Sequence, residues 1–172
     1  AAGLVNQMLS FSDQQDTRMS LLSPDTFIHE ALELSRSFLP PGITIREEIP
    51  ADLGLIMADA IQIHQVMMNL ISNAYHAMEA DGGVLKVTAD RADAGRGKVP
   101  GKSGDPYIRL KVADTGPGIP GAVMEQIFDP FFTTKAEGKG SGIGLSVVKG
   151  IVEAHDGDIR VRSAPGKGTC FE

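Results

Sequence analysis

The chain has 172 residues, with 42% hydrophobic and 22% charged residues and a formal net charge of −6, a length and balance that fit one globular domain in water. The negative charge argues against nucleic acid as the main partner, because phosphate backbones recruit clustered Lys and Arg. The one cysteine, Cys170, excludes an internal disulfide and a multi-cysteine zinc site.

In chain order, Ala1-Ala2-Gly3 has no signal-peptide character and reads as the start of an excised fragment. Residues 3–16 then read as the end of an amphipathic helix, with Leu4, Met8 and Phe11 forming an apolar stripe beside Val5 and Leu9. So short a helix needs a partner surface, either on its own domain or on a longer helical assembly. Met19–Leu22 reads as a strand. Ser23 is then placed to cap a helix with Pro24 at its first position and Asp25 in its first turn, running to about Phe38 and ended by Pro40-Pro41-Gly42.

Ile43, Ile45 and Ile49 alternate with polar residues as in a strand, and a long helix follows from about Asp59 to Ala80, terminated by Asp81-Gly82-Gly83. Val84–Asp90 and Tyr107–Ala113 read as neighbouring strands joined by a polar loop over 93–105. That loop contains Gly101-Lys102-Ser103, but a phosphate-binding P-loop needs glycine five residues earlier, where Arg96 stands. Val123, Ile127 and Phe128 suggest a short helix, and Ile143–Ala154 a longer one. Asp158–Ser163 and Thr169–Glu172 read as strands joined by Pro165-Gly166-Lys167-Gly168, which places Cys170 as a buried thiol in a reducing compartment. The predicted fold is an α/β two-layer sandwich, with one mixed, mostly antiparallel sheet and helices on a single face. No run of about 18 apolar residues marks a membrane span.

Three places carry chemistry. On the long helix, Asn69 and Asn73 share a face with Gln65 and His76. They are either exposed polar positions or a pair of carboxamides suited to Mg²⁺, which takes oxygen ligands and keeps substrate phosphates. Asp114 ends a strand and opens a loop with Gly116 and Gly118. It is either an ordinary turn or a carboxylate that accepts the exocyclic amino proton of adenine. Residues 120–142 read as a lid. Lys135 and Lys139 are available to phosphates there, one of Phe131 and Phe132 belongs to the core, and Gly138, Gly140, Gly142 and Gly144 run into a helix whose free N–H groups form an anion site.

Taken together, Asn69-Leu70-Ile71-Ser72-Asn73-Ala74, Asp114-Thr115-Gly116-Pro117-Gly118-Ile119, Phe128-Asp129-Pro130-Phe131-Phe132-Thr133-Thr134-Lys135 and Gly140-Ser141-Gly142-Ile143-Gly144-Leu145 resemble the ATP-binding domain of bacterial sensor histidine kinases. That domain belongs to the wider family of DNA gyrase, Hsp90 and MutL ATPases, and the likeness covers roughly residues 20 to 172. It implies a Bergerat-type ATP-binding fold with a flexible lid over residues 19–172, preceded at 1–18 by the end of a dimerisation helix. The implied cofactors are ATP and Mg²⁺. By resemblance Asn73 is the metal ligand, Asn69 and Lys135 act in catalysis, and Asp114 reads adenine. Nucleotide contacts are implied for Asn69, Asn73, His76, Gly116, Gly118, Ile119, Phe132, Thr133, Thr134, Lys135, Gly140, Ser141, Gly142, Ile143, Gly144, Leu145 and Thr169. Ser141 and Ile143 depart mildly from the family's usual glycine box.

Where gyrase-like ATPases carry a water-activating glutamate, this chain has Asn69, whose amide has no useful basicity. The resemblance therefore implies a protein-histidine kinase, with a gyrase- or MutL-like ATPase, an anti-sigma-type serine kinase or a silent ATP-binding scaffold as alternatives. His29-Glu30 lies on an ordinary domain helix, so the phosphoacceptor histidine is expected upstream, on a dimerisation domain absent from this chain. The implied partners are that domain and a response-regulator receiver. The full-length protein is expected to be a cytoplasmic or membrane-anchored homodimer, with no nucleic acid and no membrane contact from this fragment.

Overall fold

In a computed structural model that describes residues 18–92, 106–135 and 140–172, an alternating apolar pattern builds one central sheet. Its strands are β2 (Ile43–Glu48), β4 (Gly83–Ala92), β5 (Tyr107–Asp114), β7 (Thr169–Phe171) and β6 (Val161–Ser163), in that spatial order. β2 runs parallel to β4, and every other neighbouring pair is antiparallel. Three helices cover the sheet: α1 (Pro24–Arg36), α2 (Ala60–Met78) and α3 (Gly144–Ala154). A separate antiparallel ribbon pairs β1 (Ser20–Leu22) with β3 (Ile56–Ala58). The residues 3–16, the 93–105 loop with its Gly101-Lys102-Ser103, and Gly138 and Lys139 lie outside the described residues.

Period-two alternation explains why helices occupy one face. Leu85, Val87 and Ala89 of β4 are buried while Lys86, Thr88 and Asp90 point the other way. The inward set meets Ile28 and Leu32 of α1, Met67, Leu70 and Ile71 of α2, Val148 of α3 and Phe171 of β7 in one core. The outer face carries pairs such as Lys86–Glu48 at 2.7 Å and Lys111–Glu172 at 3.1 Å. They keep that face wet and contribute little stability.

Differences from the sequence reading are local. β3 escaped it because three residues, Ile56-Met57-Ala58, are too short to show a period. The Ser23 hydroxyl donates to the Asp25 carboxylate rather than receiving a backbone N–H, so α1 starts without the expected side-chain cap. The expected short helix near Val123 is a single 3₁₀ turn, Gly121–Val123, followed by turns. Cys170 is half-buried instead of buried, because Thr169 and Phe171 take the inward positions of β7.

Candidate functional site

α2 begins where Asp59 accepts N–H bonds from Ile61 at 3.0 Å and Gln62 at 3.1 Å, the N-cap geometry that fixes the phase of the helix. With the phase set, Val66, Met67, Leu70, Ile71 and Ala74 are buried, and Asn69 and Asn73 fall on the half-buried edge of that face. Lys135 of the lid reaches this edge, its Nζ lying 3.5 Å from Asn73 Oδ1. Burial pushes the Lys135 ammonium below its ordinary pKa, and the charge of Glu79 partly restores it. α3 arrives at the same edge: a Cβ on Gly144 would stand 3.5 Å from Asn69 Oδ1.

The first turn of α3 has no side-chain cap, with Ile143 in the capping position. Its leading N–H groups thus have no side-chain capping acceptor, the condition under which a helix start can receive an anion. Among the described residues, no group of three or more His, Cys, Asp or Glu side chains could cage a metal. The carboxamide oxygens of Asn69 and Asn73 fit a Mg²⁺ that keeps its waters and brings phosphate oxygens with it, not one held by protein alone.

Asp114 sits at the inner end of β5, 9% exposed. Its Oδ1 accepts the Gly116 N–H at 2.8 Å and the Thr169 N–H at 3.3 Å. Burial raises its pKa above the usual carboxylate value, and those two N–H bonds only partly offset the shift. Oδ2 takes neither bond and remains for a donor from outside. The loop is held by close approach: a Cβ on Gly118, at φ +75°, would lie 2.1 Å from the Ala164 carbonyl oxygen. Gly116 is hemmed in by Ala77 of α2.

Ser163, which the sequence reading passed over, ties the neighbouring turns together. Its hydroxyl accepts from the Ile119 N–H at 2.8 Å and donates to the Gly168 carbonyl at 2.8 Å, and it lies 3.0 Å from Thr169 Oγ1. A serine at a strand end carries no local signal of such a role.

The lid closes at its base through a backbone clasp. The Phe131 N–H donates to the Gly142 carbonyl at 3.0 Å, with Phe131 at φ 68° and Gly142 at φ 67°. Phe132 packs against the core while Phe131 is 67% exposed, so one of the pair is core as expected. Ile119 and Leu145 also pack on the core. Thr133 and Thr134 are exposed, and Thr133 Oγ1 accepts the Lys135 N–H at 3.2 Å. Gly140 approaches Thr133 and Lys135 closely, and Ser141 Oγ lies 3.4 Å from the Ile143 nitrogen. His76 is exposed on α2, with Nδ1 2.6 Å from the Ser72 carbonyl oxygen of its own helix.

A further junction was not anticipated. Asp59 also accepts the Arg18 N–H on Oδ2 at 2.8 Å, and its own N–H donates to His155 Nε2, at the end of α3, at 3.0 Å. Burial raises the Asp59 pKa, but N–H bonds from Gln62, Arg18 and Ile61 outweigh it and hold the carboxyl below its usual value.

Comparisons place these features among known proteins. A family described as "Histidine kinase-, DNA gyrase B-, and HSP90-like ATPase" matches residues 58–172. Sensor kinase CckA of Brucella abortus (strain 2308) is 38% identical over 100% of this chain and 18% of its own length. Sensor histidine kinase ZraS of Escherichia coli (strain K12) is 35% identical over 98% of the chain and 33% of its own. The chain thus spans a third or less of these relatives. Among solved structures, histidine kinase ThkA in complex with response regulator protein TrrA aligns with a TM-score of 0.73 and 26% identity, covering 99% of this chain and 45% of that one. Full-length ShkA in complex with AMPPNP gives a TM-score of 0.79 and 28% identity, over 98% and 34%.

Proposed function

Because this chain belongs to the family of histidine kinase-, DNA gyrase B- and HSP90-like ATPases, we propose that it is the ATP-binding catalytic domain of a sensor histidine kinase. Its task is to pass the γ-phosphoryl of ATP to a histidine on a dimerisation domain outside this chain. A response-regulator aspartate then receives the phosphoryl group. What supports the reading is the buried Asp114 carboxylate, whose loop packs Gly116 against Ala77 of α2, the same helix whose Asn69–Asn73 edge is approached by Gly144 and Lys135. Adenine donates its exocyclic N–H to Asp114 Oδ2 beside Gly116 and Gly118, while the Gly116 and Thr169 N–H groups fix the carboxylate through Oδ1. The phosphates lie against the N–H groups from Gly144 onward, and Lys135 leaves Asn73 to meet them. Asn73, with Asn69 beside it, would hold a Mg²⁺ through its carboxamide oxygen, and the ion would supply neutralisation of phosphate charge.

In the transfer step an imidazole nitrogen of the acceptor bonds to the γ-phosphorus as the bond to the ADP oxygen breaks. Lys135 offsets the charge that develops on the phosphates. Asn69 holds no proton-accepting group for water, which keeps hydrolysis slow and favours a kinase over a gyrase-like ATPase. Residues 1–18 are read as the end of the dimerisation helix of a homodimeric kinase working where cytoplasmic ATP is available. The near-complete coverage of this chain by the longer ThkA and ShkA structures supports that reading. The kinship to CckA and ZraS, and the ThkA pairing with TrrA, support a receiver-domain partner.

Calorimetric titration of ATP with and without Mg²⁺ tests the proposal. The folded chain should bind ATP more tightly with the metal, and Asn73→Ala should remove that increment while leaving metal-free binding within about twofold. Folded protein that takes up no adenine nucleotide overturns the reading.

A further inference from the structure

At one end of the central sheet, three polar side chains stand in a row across neighbouring strands. Asp114, the last residue of β5, is the register partner of Thr169, the first of β7, and Thr169 is in turn the partner of Ser163, the last of β6. Side chains directly opposite each other in antiparallel strands share one face, about 5 Å apart. The buried Thr169 hydroxyl therefore lies between two acceptors for its proton, Ser163 Oγ and the Asp114 carboxylate. Counting protons decides between them. A serine hydroxyl has one proton and two lone pairs. Ser163 gives the proton to the Gly168 carbonyl at 2.8 Å and accepts the Ile119 N–H at 2.8 Å with one lone pair. The other lone pair, facing Thr169 Oγ1 at 3.0 Å, accepts the threonine proton.

We propose that Ser163 is a positioning residue for the base: by holding the Thr169 proton it keeps that proton off Asp114, so that Oδ2 stays open for the amino group of adenine. This rests on the reading of Asp114 as the adenine acceptor and adds what keeps that acceptor available. Oδ1 is already taken by the Gly116 and Thr169 N–H groups, at 2.8 and 3.3 Å. A Thr169 hydroxyl released by Ser163 would turn to the carboxylate opposite, because a buried donor left unpaired is costly and an ionised acceptor is the strongest one beside it. The amino group of the base would then compete with an internal donor. The same serine steadies the loop that carries Gly116 and Gly118, through the Ile119 N–H that follows it.

The test uses the full 172-residue chain and reads the amino group alone, as the ratio of the dissociation constant of purine riboside triphosphate, which is ATP without that group, to that of ATP. In the unsubstituted chain the ratio should be at least about tenfold, the scale of a hydrogen bond to a charged acceptor. Ser163→Ala should lower it at least about threefold. Ser163→Ala/Thr169→Val, which removes the competing proton and keeps the backbone N–H, should bring it back to within about twofold of the unsubstituted value. A merely structural serine would weaken both nucleotides alike and gain nothing from the loss of a second hydroxyl. An unchanged ratio in Ser163→Ala, or one that stays low in the double variant, overturns the proposal. The Thr169 hydroxyl proton in the NMR spectrum of the unsubstituted chain gives a readout that needs no variant to fold. A nuclear Overhauser contact to the Ile119 N–H, which points at the same serine oxygen, is expected; a contact to the Gly116 N–H, which points at the carboxylate, overturns the proposal. Folded, unsubstituted chain that binds neither nucleotide overturns the nucleotide reading and this inference together, whereas ATP uptake with a ratio unmoved by Ser163→Ala overturns this inference alone.

Discussion

Asp114 shows how burial and recognition pull on one side chain. Its raised pKa means that ionisation is harder in the folded chain than in the unfolded one. The contribution to stability is thus fully present below the unfolded carboxylate pKa and is lost as pH rises through the higher folded value. At neutral pH the carboxylate costs stability, which the adenine contact proposed for its free oxygen would account for. Asp114→Asn should therefore leave the melting temperature equal or higher at pH 7. It retains an oxygen for the Gly116 and Thr169 N–H groups, yet its amide can turn a donor toward adenine. ATP affinity should fall at least about tenfold, the scale of a hydrogen bond to a charged acceptor. Differential scanning calorimetry and titration read the two effects apart; an unfolded variant would show that the carboxylate is structural instead.

Among the elements, the lid base and the start of α2 make opposite demands. The clasp between Phe131 and Gly142 needs glycine, since a Cβ at Gly142 would stand 2.4 Å from the Phe131 carbonyl carbon in a left-handed backbone. Gly142→Ala adds that backbone clash to a left-handed strain of about 1–2 kcal/mol, so it should open the clasp and lower Mg-ATP affinity several-fold while exchange in β4 and β5 stays unchanged. At α2, Asp59→Ala removes a cap worth about 1–2 kcal/mol, and the melting temperature should drop by roughly 2–8 °C. The sign with pH is the reverse of that at Asp114. The depressed Asp59 pKa supplies stability above the unfolded carboxylate value, and that stability disappears as pH falls through the folded one. Asp59→Asn, which can still cap, should unfold with a flatter acid limb in pH-jump circular dichroism.

For the whole molecule, the kinase reading predicts that this chain binds ATP without labelling itself. With γ-labelled ATP, phosphohistidine should form only when a dimerisation domain of the same kinase is added. Label on this chain alone would place the acceptor within it. Much of this architecture was legible in the sequence because the central strands alternate cleanly and α2 is long enough to show its period. The likeness carried by the four motifs assigned roles to Asn73, Asp114 and the glycine box. The bonds of Ser163, Arg18 and His155 were not legible, since each depends on partners 41 to 96 residues away for the Asp59 junction and 44 residues away for the Ser163–Ile119 bond. No local pattern encodes such contacts. β3 was missed for the complementary reason: a three-residue strand is defined by its partner, not by its own composition.

The meeting of Arg18, α2 and the tail of α3 on one aspartate makes that residue a mechanical hinge pin. A displacement of Arg18 would act through Asp59 on the start of α2 and the end of α3 together, the two helices that meet at the Asn69–Gly144 contact, without passing through the central sheet.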